Sequence, residues 1–449
     1  MSSPTGDTIA AVATPAGNGA LSIIRISGPA SLSVADRVFR GTRPLSGAAG
    51  FTLHQGVIVD PDGGVLDEVL VSVYRGPRSY TGEDSVEITC HGGMLVTRSV
   101  LEAVLASGAR QAGPGEFTRR AFLGGRISLT QAEAVMDLIS ARGERARRQS
   151  VRQLRGETGR ALERMRSALV RLCGLLELEL DFSEDDPEAV PRDEVKAGVV
   201  SAIEECRRLE ASYERARLER DGIRVAITGA PNAGKSSIFN RLLSEDRAIV
   251  HPVPGTTRDT LEGDLSIEGI PVRLTDTAGL RESEDPVEAE GIRRAREAVE
   301  SADLVIAVEE PGNTGSTYKS GEVSKPTIRV VNKIDLDPKL RPGQDSGHVY
   351  VSALMGDGFE SLRRSMAEFL LPAGNMHGES TITSLRHLEA IRRAEYSLEA
   401  CMVSIGQNLP SEFIALDLRR AAESIGEITG AVTSEEVLNA IFERFCIGK

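Results

Sequence analysis

The sequence predicts a multidomain chain of mixed class: an N-terminal α+β domain, then a helical bundle into which a doubly wound α/β domain is inserted. Three observations predict it. Short β-rich runs broken by Gly/Pro turns occupy the first ninety residues, a three-and-four spaced apolar stripe follows Pro114-Gly115, and alternating strand and helix patterns begin abruptly at Ile223. A length of 449 residues supports several domains, at a prior of about 100–200 residues each.

In the first domain, placed at 1–121, Leu21–Ile26 and Val69–Tyr74 read as strands and Pro61-Asp62-Gly63-Gly64 as a turn. Beyond it, Thr130-Gln131-Ala132-Glu133 offers a capping box ahead of Val135, Leu138 and Ile139. Val151, Leu154, Leu162, Met165, Leu169, Leu172 and Leu176, with Thr158 in the one gap, predict a single long bundle helix ending near Ser183-Glu184-Asp185-Asp186-Pro187. The α/β domain is placed at 219–377, and its polar segment 309–326 is expected to be a surface loop. Leu416, Arg420, Ile425 and Ile428 again fall on helical spacing, so the helical domain has halves at 122–218 and 378–449.

Composition excludes several classes. The chain is 40 % hydrophobic and 27 % charged, which excludes a collagen-like or wholly disordered protein. A net charge of −13 argues against gripping nucleic acid through overall charge, so any such contact needs a local basic patch. One candidate is Arg145, Arg148, Arg152 and Arg155, a stripe along one helix, whose other reading is a solvated face. The five cysteines, at 90, 173, 206, 401 and 446, show neither C-x-x-C pairing nor zinc spacing and are expected to be reduced. The absence of an apolar leader and of any membrane-length apolar run leads us to expect a soluble cytoplasmic protein.

The chemistry concentrates in the α/β domain. Gly229-Ala-Pro-Asn-Ala-Gly234-Lys235-Ser236 fits G-x-x-x-x-G-K-[ST] between a strand, with Ile223, Val225 and Ile227 alternating, and a helix start. Such a loop, with Asn232, Ala233, Gly234 and Ser237 also at the phosphates, wraps backbone N–H groups around them while Lys235 neutralises the β/γ oxygens and Ser236 binds Mg²⁺. Asp276-Thr277-Ala278-Gly279 follows the strand Val272–Leu274, so Asp276 can hold the Mg²⁺ shell and the Gly279 amide can sense the γ-phosphate. Asn332-Lys333-Ile334-Asp335 follows Ile328–Val331 and offers a carboxylate to N1–H and the exocyclic amine of guanine; adenine presents no such donor pair. Ser352-Ala353, after Val349–Val351, fits the loop over the base, and in Thr256-Thr257-Arg258-Asp259 we read Thr257 as the switch threonine that meets Mg²⁺. Together these predict binding of GTP and GDP. Position 280 is Leu, where Ras-like GTPases carry the water-orienting glutamine, so Glu282, Glu284, Asp285 and Glu288 are all candidates for that work.

Taken with Thr14-Pro-Ala-Gly17, Ile24-Arg25-Ile-Ser-Gly28, Tyr80-Thr-Gly-Glu83-Asp84, Cys90-His-Gly-Gly93, Pro114-Gly-Glu-Phe-Thr118, Gln131-Ala-Glu-Ala134 and the terminal Phe445-Cys-Ile-Gly-Lys449, the chain resembles the MnmE (TrmE) family of tRNA modification GTPases over essentially its whole length. The resemblance implies a first domain that dimerises and binds a 5-formyl- or 5,10-methylene-tetrahydrofolate, with Arg25, Glu83, Arg126 and Lys449 at the folate-contacting positions. Position 126 usually holds Lys in the family, and Arg keeps the charge but not the geometry. It implies a K⁺ ion at the phosphates held by Asn232 and by backbone groups of the His251–Gly255 loop (His251 and Val253, with Thr256 beyond it). It implies Glu288, three residues before Gly291-Ile292, as the water-orienting carboxylate, with Asn232 and Lys235 completing the catalytic set. Cys446 lies in the tail that the family folds near the folate, where it either joins the modification chemistry or packs. The implied activity is GTP hydrolysis coupled to installing an aminomethyl or carboxymethylaminomethyl group at C5 of the wobble uridine (U34) of certain tRNAs, as a homodimer with the flavin-dependent MnmG (GidA), in a heterotetramer or larger complex. FAD enters only through that partner, and no membrane is involved. Two other readings remain at this stage: a ribosome-assembly switch of the Era or Der type, and a folate-dependent transferase in which GTP is regulatory.

Overall fold

The computed structural model describes residues 6–141, 143–182, 192–245, 261–276, 296–312, 325–345, 347–370 and 381–449. By packing, these fall into two compact units, one of residues 1–136, 152–203 and 390–449 and the other of residues 137–151 and 204–389.

The first unit opens with β1 (Ile9–Val12), β2 (Leu21–Ser27), α1 (Ser31–Val38), β3 (Phe39–Gly41), β4 (Thr52–Val59), β5 (Val65–Tyr74), β6 (Ser85–His91), α2 (Met94–Ala106) and β7 (Arg110–Gln111). They form a seven-stranded sheet in the order β3-β4-β5-β6-β2-β1-β7, antiparallel except for the β1–β7 pair. The period of two in β2 sorts its side chains. Ile24 and Ile26 enter the core with Val34, Val71, Ile88 and Val100, whereas Arg25 points to the opposite face. The β4–β5 turn is the expected one, closed by Gly63 N–H on the Asp60 carbonyl at 3.1 Å and by Asp60 N–H on that of Gly64 at 2.9 Å.

After α3 (Glu116–Leu123) the chain is helical: α4 (Leu129–Ser140), α5 (Glu144–Leu154), α6 (Glu157–Phe182) and α7 (Arg192–Asp221). Two expectations change here. The capping box of α4 lies two residues earlier than predicted: Ser128 Oγ accepts from Gln131 N–H at 3.3 Å, and Gln131 Oε1 accepts from Ser128 N–H at 2.9 Å. The predicted single helix is two, because Gly156 takes φ +79°, a conformation glycine adopts without steric cost, and ends α5. Thr158 is nonetheless buried, and Leu162, Leu169, Leu172 and Leu176 carry the buried stripe of α6. The acidic turn at 183–187 lies outside the described residues.

In the second unit, β8 (Ile223–Gly229), α8 (Lys235–Glu245), β9 (Leu261–Ile267), β10 (Ile270–Asp276), β11 (Leu304–Glu309), β12 (Thr327–Val331), β13 (Gly343–Asp345), β14 (His348–Tyr350) and α9 (Phe359–Leu370) build a sheet in the order β13-β14-β12-β11-β8-β10-β9. Its centre is parallel; β9 and β13 run antiparallel at the edges. Parallel strands covered on both faces read as continuous apolar runs, and β11 is buried at every residue. Glu309, expected in a surface loop, is the last residue of β11 and is 5 % exposed. Strand β8 lies between β10 and β11, so the chain reverses its winding direction at the carboxyl end of β8, where open α/β sheets place their ligands.

The chain ends in α10 (Leu385–Gly406), α11 (Ser411–Thr429) and α12 (Glu435–Phe442). In α11 the buried face is Ile414, Leu418, Ala421, Ile425 and Ile428; Leu416 and Arg420, grouped with Ile425 and Ile428 by spacing, face outward. Among the described residues no helix is long and apolar enough to cross a membrane, and no group of three or more His, Cys, Asp or Glu is placed to hold a metal ion.

Candidate functional sites

The carboxyl ends of β8, β10 and β12 bring together three segments far apart in sequence. The turn after β8 leads through Asn232 at φ +61° and Gly234 at φ +91° into α8. Lys235, the first residue of α8, is buried and folds back to donate from Nζ to the carbonyls of Gly229 at 3.0 Å and Ala230 at 2.8 Å. Its ammonium is thus fixed inside the loop whose N–H groups open the helix, the arrangement that suits an anion. Ser236 Oγ donates to Asp276 Oδ2 at 2.7 Å, and Asp276 is fully buried at the last position of β10. A hydroxyl and a carboxylate in contact beside the loop are the hard oxygen donors that Mg²⁺ takes.

The third segment couples to the first. Asn332, at the end of β12 and 2 % exposed, donates from Nδ2 to the Ala233 carbonyl at 2.9 Å and accepts at Oδ1 from Ala353 N–H at 3.0 Å. One amide side chain therefore joins the phosphate-loop segment to the 352–353 turn. Ser352 Oγ donates to Asp335 Oδ1 at 2.5 Å and accepts from Met355 N–H at 3.1 Å, which orients the exposed Asp335 carboxylate. Lys333, at φ +64°, pairs with Glu310 at 2.6 Å. Ser237 is exposed on α8, and the Asn232 side chain is exposed at the turn. His251, Val253, Thr256, Thr257, Thr277, Ala278, Gly279 and Glu288 lie outside the described residues.

A second polar site forms in the first unit. Arg25 on β2 faces Glu87, its cross-strand partner on β6, and pairs with it at 2.8 Å. Its guanidinium lies over the rings of Tyr80 at 5.2 Å and Phe117 at 5.6 Å, and donates to the Gly448 carbonyl at 3.4 Å. The tail is anchored there: the Lys449 carbonyl accepts from Phe117 and Thr118 N–H, at 2.8 and 3.2 Å, at the start of α3. Burial, and then the nearby Arg25 charge, lower the Lys449 ammonium below its usual range, against a smaller opposing pull from Glu87 and Cys446. Burial likewise raises the Tyr80 phenol, which shares a 2.9 Å hydrogen bond with Thr118 Oγ1. Glu83 accepts from Ser27 Oγ at 2.8 Å and from Arg120 at 3.3 Å. Of the four positions singled out from sequence, Arg25 and Lys449 share this cluster and Glu83 meets it through Ser27 on β2, while Arg126 is exposed, its stem beside Gly82.

Sequence reasoning missed Arg120 and Glu87. Arg120 is 3 % exposed and holds Asp7, Glu83 and Glu116 at once. A second arginine after Phe117-Thr118 was the signal available, but only the fold shows which of Arg119 and Arg120 turns inward.

The arginine stripe expected on α5 is largely neutralised. Arg145 donates to the Glu268 carbonyl at 2.7 Å and lies 3.7 Å from Glu219, Arg148 pairs with Glu144 at 2.8 Å, and Arg152 with Glu157 at 2.8 Å. Only Arg155 remains an exposed cation without a carboxylate partner among the described residues.

Four thiols are buried and Cys446 is exposed. Burial, reinforced by Asp67, pushes Cys90 up to about 11; burial with Glu177 pushes Cys173 up to about 11, and burial with Asp417 pushes Cys401 up to about 12. Iodoacetamide at pH 8 is therefore expected to label one thiol in the native chain, at Cys446, and all five cysteines after denaturation, as peptide mass mapping will report.

Comparison with known proteins fits this geometry. The family model for the GTP-binding protein TrmE N-terminus matches residues 8–126, and that for the MnmE helical domain matches residues 129–446. The tRNA modification GTPase MnmE of Chlorobium phaeobacteroides is 44% identical over 463 residues, covering 99% of this chain and 97% of that protein. That of Symbiobacterium thermophilum is 45% identical over 457 residues, covering 99% of each. Among solved structures, Aquifex aeolicus Era bound to GDP and aluminium fluoride is 27% identical with a TM-score of 0.26, over 40% of this chain and 67% of that one. The G domain of the Thermotoga maritima iron transporter FeoB is 26% identical with a TM-score of 0.23, over 33% and 98%. Those scores are too low to bear on function, but identity sustained along the full length does bear on it: the chain belongs to the MnmE family of tRNA modification GTPases.

Proposed function

We propose that this chain hydrolyses GTP in a cycle that modifies C5 of the wobble uridine of certain tRNAs. The observation that carries the reading is Asn332, whose one amide ties the phosphate-loop segment at Ala233 to the Ser352-Ala353 turn beside Asp335. Triphosphate and guanine are then sensed by a single connected framework.

Within it, Asp335 accepts from the guanine edge, Lys235 and the N–H groups of the turn hold the phosphates, and Ser236 with Asp276 is the oxygen pair for Mg²⁺. Asn232, exposed at the turn, would offer its side-chain oxygen to a K⁺ ion, which would stabilise negative charge developing on the phosphates. Glu288 is the proposed water-orienting carboxylate, with Thr256 and Thr257 on the switch segment and Thr277 to Gly279 beside the γ-phosphate. Arg25, Glu87, Tyr80 and Lys449 line the proposed tetrahydrofolate site, with Glu83 and Arg126 at its edge; the cations suit the carboxylate tail of a folate and a carboxylate suits a pterin edge. Folate supplies a one-carbon unit when bound. The working unit is a cytoplasmic homodimer paired with a flavin-dependent partner of the MnmG kind, which supplies the redox steps.

The test is mass-spectrometric nucleoside analysis of tRNA from cells lacking this protein, complemented with wild type or with Asp276→Ala. The C5 aminomethyl-type uridine is expected to vanish in the deletion and return only with wild type. Its persistence in the deletion would overturn the reading and leave an assembly switch in its place.

A further inference from the structure

Helix α6 carries a row of cations that no carboxylate among the described residues answers. At 100° per residue, Arg160, Arg164 and Arg171 fall within about 40° of one another around the helix axis and span about 16 Å along it. The buried stripe of Leu162, Leu169, Leu172 and Leu176 lies on the opposite side, so the row faces solvent. The three arginines line a shallow groove of about 680 Å³ with Ser167, Ala168 and Glu163. The Glu163 carboxylate is taken by Arg166 at 3.2 Å, and Arg160 spends one N–H on the Arg155 carbonyl at 2.8 Å. Among the described residues, none of the three pairs with an acid.

Among the described residues several other surface arginines are matched, as Arg98 is to Glu102, Arg147 and Arg148 to Glu144, and Arg217 to Glu214, whereas the nearby Arg155 is not. In a chain with thirteen more acidic than basic residues, three unmatched guanidiniums in one row leave a local positive strip on a negative molecule. Guanidinium groups spaced by one and two helical turns are suited to a chain of phosphates, which they engage as planar, bidentate donors.

We infer that Arg160, Arg164 and Arg171 of α6 form a docking strip for the phosphate backbone of tRNA. The inference rests on the tRNA reading above and adds a surface to it. The strip positions the RNA without reading bases, because phosphate contacts fix register and carry no sequence information.

The experiment uses the full chain and a fluorescent unmodified tRNA transcript, with binding followed by anisotropy across a KCl titration. The variant is Arg160→Gln/Arg164→Gln/Arg171→Gln, which keeps helix propensity. The control, Arg98→Gln/Arg147→Gln/Arg148→Gln, changes net charge equally at matched arginines. Each lost phosphate contact flattens the slope of log affinity against log salt by roughly 0.7–0.9, so the strip variant should bind at least about tenfold more weakly at low salt, with a slope shallower by about 2. The control should stay near wild type, and the melting temperature of each should be unchanged. Equal losses in both variants overturn the strip in favour of diffuse charge. Wild-type affinity in the strip variant overturns it too, and turns the row into a surface for an acidic protein. No salt-dependent binding by wild type overturns the tRNA reading itself.

Discussion

Gly234→Ala is expected to lower affinity for GDP and GTP by about 10²–10³-fold. An added Cβ at position 234 would lie 2.1 Å from Asn332 Nδ2, at a backbone φ of +91° that L side chains rarely adopt. The backbone alone costs roughly 1–2 kcal/mol for alanine. Asn332 cannot give way freely, because it is buried and its two hydrogen bonds, to Ala233 and from Ala353, hold two loops at once. Displacing it leaves buried partners unsatisfied, at roughly 1–3 kcal/mol each. The variant relaxes into a geometry in which phosphate loop and base loop are uncoupled, and the apparent affinity falls with the population of the binding-competent form. Titration calorimetry with GDP checks it, and an affinity within threefold of wild type would show that the amide tether is dispensable. The double variant Gly234→Ala/Asn332→Ala adds a sharper criterion: with the clashing amide removed, the glycine substitution should cost at least about 1 kcal/mol less than in the wild-type background.

That coupling shows what the sequence makes legible and what it hides. The residues around Gly234, Asp276 and Asn332 were readable because each lies in a short contiguous segment after an apolar strand, and the strand order then brings the segments together. The bond from Asn332 to Ala233 spans ninety-nine positions and has no local signature. The same limit hid Arg25–Glu87, set by strand register, and Arg120, whose inward turn depends on packing of α3. Where local patterns compete, spacing chose wrongly. Ser128-x-x-Gln131 and Thr130-x-x-Glu133 both fit a capping box, and only the backbone decides between them. The stripe through Val151 and Leu176 keeps its period across Gly156, so periodicity alone cannot see the break. Charge spacing on α5 placed arginines along one helix but not the acids that meet them, Glu144, Glu157 and the distant Glu219.

Arg120→Met should destabilise the chain by about 3 kcal/mol at pH 7, and the deficit should shrink in acid. Arg120 is the buried centre of a cluster in which Asp7, Glu83 and Glu116 lie at 2.6, 3.3 and 3.0 Å. Removing one member of a buried ion pair costs roughly 3–5 kcal/mol, because the remaining charge is left uncompensated. The lower end applies here: Asp7 is partly exposed, and Arg110 still pairs with both Asp7 and Glu116. Glu83 loses most, keeping among the described residues only the Ser27 hydroxyl as a side-chain partner. The pH dependence follows from Glu116. Burial raises its carboxyl, but hydrogen bonds from Arg110, Gly113 N–H and Arg120 outweigh this and hold it below the ordinary value. A depressed carboxylate contributes stability above the unfolded pKa of about 4.3 and loses it as pH falls through the folded value. Methionine raises that folded value, so the gap between wild type and variant should narrow as pH falls below about 4.3 toward the wild-type folded value. The chain has no Trp, so scanning calorimetry is the suitable readout. An exposed pair provides the scale: Arg98→Met, which frees only Glu102, should cost no more than about 0.5 kcal/mol. A deficit below about 1 kcal/mol for Arg120→Met, or one that stays constant with pH, would mean that Arg110, on Asp7 and Glu116, and Ser27, on Glu83, suffice to hold these carboxylates.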